Sequence, residues 1–191
     1  MLMRALFAMV VVLAVGSGEL RAEADWVGAW GESMAQASSS TDPEEARALY
    51  GQALELAARH GNGTLRHART LDELAWFHLS RGELERSEAL YLESIPLFRK
   101  LLGPGQPRLA TSLHNLGALY LRAGQEDRAG EPIREALRIW TAAFGTEHPD
   151  TARAFRSLSV LMRRQGRHEE ADRLEKSAAP YLTPLPEPPA R

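Results

Sequence analysis

The stretch LHNLGALY, from Leu113 to Tyr120, belongs to a pattern that recurs at a fixed spacing along the chain. Leu116 lies 42 residues after Leu74 and 42 residues before Leu158. The same spacing separates further positions, among them the glycines Gly82, Gly124 and Gly166, the glycines Gly61, Gly103 and Gly145, and the prolines Pro107 and Pro149. Agreement at so many positions in one register predicts an internal repeat of 42 residues.

Each repeat has the pattern of two helices. In the middle repeat the apolar residues recur at helical spacing on both sides of Gly124, at Leu113, Leu116, Leu119 and Tyr120 and then at Ile133, Ala136, Leu137, Ile139 and Trp140. A glycine at this position suits the left-handed backbone that closes a helix. Small residues such as Gly117 and Ala129 let the two helices approach closely. The sequence therefore predicts antiparallel helix pairs with a glycine turn inside each pair.

The middle repeat resembles a tetratricopeptide repeat (TPR), whose first helix carries W-x2-L-G-x2-Y and whose second carries A-x3-F and A. The matching residues are Leu113, Leu116, Gly117 and Tyr120, followed by Ala129, Ile133 and Ala136. A period of 42 residues is similar to that of the longer kinesin light chain type of this family. The resemblance covers about Glu44 to Ala178. It implies an all-α, TPR-like α-solenoid of antiparallel helix pairs with about three and a half repeats.

The ends of the chain differ from the repeats. Residues 1–24 contain Arg4, an apolar run over 5–15 and then Ala22 and Ala24, which is typical of a secretory signal cleaved after Ala24. An uncleaved amino-terminal anchor or a buried helix is the alternative. We expect 25–42 to be a divergent cap and linker, with Ser38 to Thr41 as a polar break. The array is predicted over 43–179, and 180–191, rich in proline, is predicted to be an extended tail.

Composition excludes several function classes. The 191 residues carry a net charge of -2 with a pI near 6.3, which gives no general attraction to nucleic acid. The absence of cysteine excludes disulfides and thiolate chemistry. The six histidines form no metal-ligand motif, so no cofactor or metal is expected. The sequence predicts an exported protein, periplasmic or secreted, that is not an enzyme.

The segment FGTEHPDTA, from Phe144 to Ala152, places Glu147, His148 and Asp150 around Pro149, an acid–histidine–acid cluster that is either a reactive site or a junction between helices. Pro149 corresponds to Pro107 one repeat earlier, where proline suits the first position of a helix. Asp150 would then lie in the first helical turn, where a negative charge is favourable. We interpret the cluster as the start of a helix.

The family resemblance implies that the first helices of the repeats line a groove that binds a protein or peptide. Asn115 matches an asparagine that holds peptide backbone in related proteins. The candidate groove residues are Arg69, Asp72, Glu73, Trp76, Thr111, His114, Asn115, Arg122, Arg153, Arg156, Ser157, Arg163 and Arg164.

Helical spacing also places Arg153, Arg156, Arg163, Arg164 and Arg167 on one helix face. This basic stripe is either a solvated face or a dock for acidic groups of a partner, because guanidinium groups bind carboxylates well.

Two alternatives stay open. The chain could self-associate as a structural or adaptor protein at or near the membrane, through apolar end faces around Trp30 or Leu174. A hydrolase would instead use His114 together with Asp72 in the groove.

Overall fold

The computed structural model describes residues 25–181, and this part of the chain is all-α, without strands. Its helices are α1 (25–39), α2 (Pro43–Gly61), α3 (Leu65–Ser80), α4 (Leu84–Leu102), α5 (Pro107–Arg122), α6 (Glu126–Phe144), α7 (Pro149–Arg164) and α8 (His168–Ala178), followed by a short 3₁₀ helix (Ala179–Tyr181). The predicted fold class is confirmed. The predicted signal at 1–24 lies outside the described residues.

The chain divides into two compact units, Met1–Thr70 and Leu71–Arg191, and the boundary falls within α3. In the first unit Trp30 is buried against Ala53 and Ala57, and its indole Nε1 donates a hydrogen bond to Thr70 Oγ1 at 2.8 Å. The segment predicted as a cap is thus a regular helix over 25–39.

The serines expected to form a polar break lie partly inside α1. The hydroxyls of Ser38 and Ser39 donate to the carbonyl of Ala35, so these side chains bond to the last turn of the helix. The connection to α2 is only 40–42, and Asp42 caps α2 by accepting from the N–H of Glu44 at 2.9 Å.

The second unit is built from antiparallel helix pairs. Here α5 packs against α6 and α7 against α8, while α4 packs on α5 and α6 on α7. The hydroxyl of Ser87 in α4 donates to the carbonyl of Ala75 in α3 at 2.7 Å. Side chains that fill the interior include Tyr91, Phe98, Leu109, Leu119, Ile133, Trp140 and Leu161. The predicted TPR-like stack is therefore confirmed for this unit.

Gly82, Gly124 and Gly166 turn the chain inside the three pairs, with φ values of 78°, 70° and 74°. After each glycine the next N–H bonds back to a carbonyl in the preceding helix, as Gln125 N–H does to Tyr120 at 2.8 Å. This is the glycine-closed helix end that the sequence predicted. The glycines Gly61, Gly103 and Gly145 share the 42-residue spacing but not the same backbone conformation. Gly103 and Gly145 have positive φ, whereas Gly61 is the last residue of α2 and Gly63 has the positive φ there.

The segment FGTEHPDTA forms the junction between α6 and α7. His148 Nδ1 accepts a hydrogen bond from the N–H of Asp150 at 3.2 Å, and Pro149 is the first residue of α7. The histidine therefore acts as a helix cap, a role more common for Ser, Thr, Asp or Asn.

The carboxyl end corrects one expectation. Pro180 and Tyr181, predicted as the start of an extended tail, lie in the 3₁₀ helix. Proline permits this because its fixed φ is compatible with a 3₁₀ turn. The rest of the predicted tail, 182–191, lies outside the described residues.

Candidate functional site

An open cavity of about 300 Å³ lies along the first helices of the second unit. Successive repeats place equivalent positions side by side, so α3, α5 and α7 each contribute lining residues. The lining residues are Asp72, Glu73, Trp76, Arg108, Thr111, Asn115 and Arg153. Six of these seven were predicted from the sequence as groove residues, and Arg108 was not. We call this cavity the groove pocket.

The centre of the groove pocket is an ionic cluster. Arg108 Nη2 donates to Asp72 Oδ2 at 3.0 Å and to Glu73 Oε1 at 2.8 Å. The hydroxyl of Ser112 donates to the other oxygen of Asp72 at 2.5 Å. Burial raises the pKa of Asp72 above its ordinary value, although Ser112 and Arg108 act against this shift. The cluster thus holds two carboxylates on one guanidinium.

One buried polar atom of this cluster has no partner. Nε of Arg108 makes no hydrogen bond within the described residues, whereas the side chain of Asn115 bonds to both Tyr91 and His114. Burial raises the pKa of Tyr91 strongly, and the negative charge of Asp72 adds to the effect. A buried polar group without a partner costs about 1–3 kcal/mol. Such groups favour a site that is completed by a ligand or by water.

His114 is a buried contact between repeats. Only 6% of it is exposed, its Nε2 lies 2.9 Å from Ser157 Oγ in α7, and its ring packs on Trp140 at 5.3 Å. Burial, followed by the charge of Arg153, lowers the pKa of His114 to about 4. The imidazole is therefore neutral at physiological pH.

The hydrolase alternative required His114 to act with Asp72. The structure instead engages Asp72 with Ser112 and Arg108, while His114 bonds to Ser157. A neutral imidazole that joins α5 to α7 serves packing between the repeats.

Two of the predicted groove arginines hold the ends of neighbouring helices. Arg122 Nη1 donates to the carbonyl of Leu79, and Arg164 Nη1 donates to the carbonyl of Leu121, both at 2.5 Å. Leu79 lies in the last turn of α3 and Leu121 in the last turn of α5. A positive charge is favourable at the carboxyl end of a helix, where carbonyl oxygens are exposed. The equivalent positions of the two arginines, 42 residues apart, explain why the contact recurs.

Most of the predicted basic stripe is neutralised within the chain. Arg163 pairs with Asp172 at 2.8 Å and with Glu175 at 2.5 Å, and Arg167 pairs with Glu170 at 2.5 Å. Arg163 and Glu175 occupy the positions of Leu121 and Ile133 one repeat earlier, which are buried. The last repeat therefore carries charge where the preceding repeat carries packed apolar residues.

The remaining predicted arginines differ in their contacts. Arg153 pairs with Asp150 at 3.2 Å, and Arg156 is exposed without a partner in the described part of the chain. Arg69 belongs to the first unit, where its guanidinium lies 5.8 Å from the ring of Trp30.

The self-association alternative depended on apolar end faces. Trp30 is buried within the first unit, and Leu174 is half-buried. In α8 the exposed side chains include Asp172, Glu175 and Lys176. Neither Trp30 nor Leu174 is therefore itself a large exposed apolar side chain.

A row of apolar side chains runs along the groove face. Trp76, Ala118 and Val160 occupy the same position in successive repeats. Trp76 is 54% exposed, so it is not the core residue that a tryptophan at helical spacing would most often be. Val160 is also exposed, and Ala118 is half-buried. Because Glu73, Asn115 and Ser157 lie one turn away at equivalent positions, an apolar row runs beside a polar row.

Arg108 was not predicted because it lies in the first turn of α5, before the positions that carry the repeat pattern. Its place three residues before Thr111 and seven before Asn115 puts it on the same helix face, which is a signal that the sequence does contain.

Residues 25–181 contain neither a metal-ligand cluster nor a membrane-spanning helix. No group of three or more His, Asp or Glu side chains in this range is arranged to hold a metal ion. No helix in the same range is long and apolar enough to cross a membrane.

Comparison with known proteins gives one family match. The family model described as tetratricopeptide repeat matches residues 67–132 and 133–182, together more than half of the chain. No curated protein matches the sequence significantly.

Solved structures share the fold. BtubC (BKLC) from P. vanneervenii is 23% identical, with a TM-score of 0.59, and the match covers 90% of this chain and 81% of that chain. A putative kinesin light chain with nearly identical TPR-like repeats from Podosopora anserina is 20% identical, with a TM-score of 0.65, over 82% of this chain and 74% of that chain. A variant of the same protein with one substitution gives a TM-score of 0.66 over the same shares. At these identities the likeness concerns the fold alone.

Proposed function

The chain belongs to the tetratricopeptide repeat family, and from this premise we propose that it is a protein–protein interaction scaffold that binds a peptide segment in the groove pocket. Repeats of this family generally form non-enzymatic scaffolds for protein binding. The binding surface would be formed by α3, α5 and α7 of the second unit, with the apolar row as its floor.

The observation that carries this proposal is the exposure of Trp76. A tryptophan that is 54% exposed beside an open cavity leaves a large apolar surface in water. Covering it with a partner would contribute roughly 25 cal/mol for each Å² buried. Tryptophan is also enriched among the residues that dominate binding energy at interfaces.

Asn115 supports a peptide as the ligand. Asn115 lines the same pocket, and its carboxamide, which also bonds to Tyr91 and His114, has two donor hydrogens and two acceptor lone pairs. A peptide backbone offers the complementary pair at every residue other than proline. An extended segment could therefore bond to Asn115 and cover Trp76 at the same time.

The test is selection of random peptides on the full chain, followed by binding measurements with variants. We expect Trp76→Ser to weaken the selected peptides by about tenfold or more, because a buried tryptophan is commonly a dominant contact. Leu92→Ser is the matched control, since Leu92 is 52% exposed but lies on α4, outside the pocket lining.

Equal binding by wild type and Trp76→Ser, or failure to select any peptide, would contradict the proposal. A comparable loss in Leu92→Ser would assign the effect to general destabilisation.

We also propose that the protein acts in an exported compartment. The support is the sequence of 1–24, with Arg4, the apolar run 5–15 and the small residues Ala22 and Ala24. Amino-terminal sequencing of protein from fractionated cells should find Asp25 as the first residue, outside the cytosol. An intact Met1 in the cytosolic fraction would reject this.

A further inference from the structure

We infer that the first unit carries a second binding site, in which Arg66 and Arg69 receive the carboxylates of an acidic peptide segment. The site is formed by α1, the end of α2 and the first turns of α3, all of which precede the boundary between the two units. It shares no lining residue with the groove pocket. The inference therefore goes beyond the proposed function and is tested independently of it.

Arg66 occupies the same repeat position as Arg108, 42 residues later. In the second unit, Arg108 is bound by the two neighbouring carboxylates of α3. The corresponding positions of α1, 42 residues before those acids, are Trp30 and Gly31, and neither carries a charge. The contact that neutralises Arg108 therefore has no counterpart at Arg66.

The guanidinium groups of Arg66 and Arg69 lie on the tryptophan rings of α1. The Cζ atom of Arg66 is 5.5 Å from the ring centre of Trp26 and 5.9 Å from that of Trp30. The Cζ atom of Arg69 is 5.8 Å from the same Trp30 ring. Both arginines are exposed, and neither forms an ion pair within residues 25–181. Since the two acids that follow on α3 are bound to Arg108, two positive charges share one ring without a matching anion.

Gly31 leaves room for a carboxylate at this place. It follows Trp30, on whose ring Arg66 lies, and a Cβ atom added at Gly31 would meet no atom within 4 Å. The position that a glutamate fills in the second unit is thus open in the first. A guanidinium that lies on an aromatic ring keeps its in-plane N–H donors, and these bind a carboxylate in a bidentate manner. A carboxylate of a bound segment therefore fits where the chain itself supplies none.

The rings that carry the arginines are held in place before any ligand binds. Trp30 is buried, and its Nε1 donates a hydrogen bond to Thr70 at 2.8 Å. Trp26 stacks on His60, with ring centres 5.4 Å apart and an angle of 15° between the planes. Trp26 is also half-buried, so its remaining apolar surface can cover the aliphatic part of a bound side chain. A site with fixed rings loses less conformational freedom on binding.

The experiment uses random ten-residue peptides selected on the full chain with Trp76→Ser, which disables the binding proposed for the groove pocket. We expect aspartate or glutamate to be enriched in the recovered peptides. One such peptide and its copy with asparagine or glutamine in place of the acids are then compared by fluorescence anisotropy. The uncharged copy should bind about tenfold more weakly, and added salt should weaken the acidic peptide.

Arg66→Gln in the same protein should weaken the acidic peptide by about tenfold, because it removes the guanidinium group that binds the carboxylate. Arg59→Gln is the matched control. Arg59 is also an exposed arginine of the first unit, but it is paired with Glu55 at 2.5 Å. Its replacement should change the affinity by about twofold or less.

Gly31→Glu is the sharper test, because it places a carboxylate of the chain where the ligand's carboxylate is inferred to bind. The new acid should pair with Arg66 and weaken the acidic peptide by about tenfold or more. Gly51→Glu is the control, since a side chain added at Gly51 also meets nothing within 4 Å. Gly51 lies nine residues before His60 on α2, or about 13 Å along the helix, so the same charge there should change the affinity by about twofold or less. Circular dichroism establishes that each variant is folded.

Three outcomes would overturn the inference. They are recovery of no peptides enriched in acidic residues, equal binding of the acidic peptide and its uncharged copy, and an unchanged affinity in either Arg66→Gln or Gly31→Glu. Each of these leaves the proposed function intact, because the peptides are selected on a chain that lacks Trp76. Acidic peptides that bind equally well to the wild type and to Trp76→Ser would support a site outside the groove pocket.

Discussion

Replacing Gly117 by alanine tests the close packing within the middle repeat. Gly117 lies in α5, and a methyl group there would come within 2.4 Å of Cγ1 of Ile133 and 3.2 Å of the carbonyl oxygen of Ala129. Ile133 is fully buried, and its Cγ1 atom is attached directly to Cβ, so it has little freedom to move away. The helices α5 and α6 would have to separate.

Two opposing effects decide how much Gly117→Ala changes the free energy of unfolding. Alanine favours a helix over glycine by about 1 kcal/mol. Overpacking in a dense core typically costs about 1–3 kcal/mol, and more where the backbone must shift. Since 2.4 Å is far inside the range of ordinary contacts, we expect overpacking to prevail. The net loss should be about 1–2 kcal/mol, which lowers Tm by roughly 2–8 °C for a chain of this size.

The assay is urea and thermal unfolding followed by circular dichroism at the helical band. Gly51→Ala is the control, because Gly51 is exposed inside α2 and an added methyl group meets nothing within 4 Å. It should gain about 0.5–1 kcal/mol. In an Ile133→Ala background, Gly117→Ala should no longer be destabilising. If Gly117→Ala stabilises the wild-type protein as much as Gly51→Ala does, the packing argument is wrong.

Three further predictions concern single side chains. Burial lowers the pKa of His114 to about 4, so the imidazole is neutral in the fold. Its contribution of about 3 kcal/mol to the free energy of unfolding is present above the unfolded pKa of 6.5 and is lost as pH falls toward about 4. In urea titrations, the free energy of unfolding of His114→Gln should therefore fall less on acidification than that of the wild type. Arg164→Ala should cost about 1 kcal/mol by removing the bond to Leu121, whereas Arg156→Ala, on the same helix and without a partner in the described residues, should leave Tm unchanged. Glu175→Ile should expose an apolar side chain at the last repeat, and light scattering should then show association that rises with concentration; a strictly monomeric variant would contradict this.

The candidate site was predictable only in part. Asp72, Glu73, Trp76, Thr111, Asn115 and Arg153 could be placed in the groove because equivalent helix positions face the same side in every repeat. Arg163 and Arg164 share that face, but their long side chains reach other groups: Asp172 and Glu175, and the carbonyl of Leu121. The group that a long side chain binds depends on which residues the neighbouring helices present to it. The repeat pattern does not contain this information.

His114 illustrates the same limit. Its helix position places it on the groove side, yet the neighbouring α7 supplies Ser157 as a partner and the ring is buried against Trp140. Burial then makes the imidazole neutral. A sequence gives the position of a residue on its own helix, while burial and pKa are set by the helices that pack on it.

Three features can be read from the sequence alone: the pairing of the helices, the positions of the glycine turns and the small residues that let the paired helices approach closely. These features depend on local backbone preference and on a spacing that every repeat shares, so they can be read one repeat at a time. Which charges pair with one another in the groove pocket is known only from the packed structure. Charges on adjacent repeats pair across the boundary between them, as Arg108 of α5 does with Asp72 and Glu73 of α3, and no single repeat specifies these pairs.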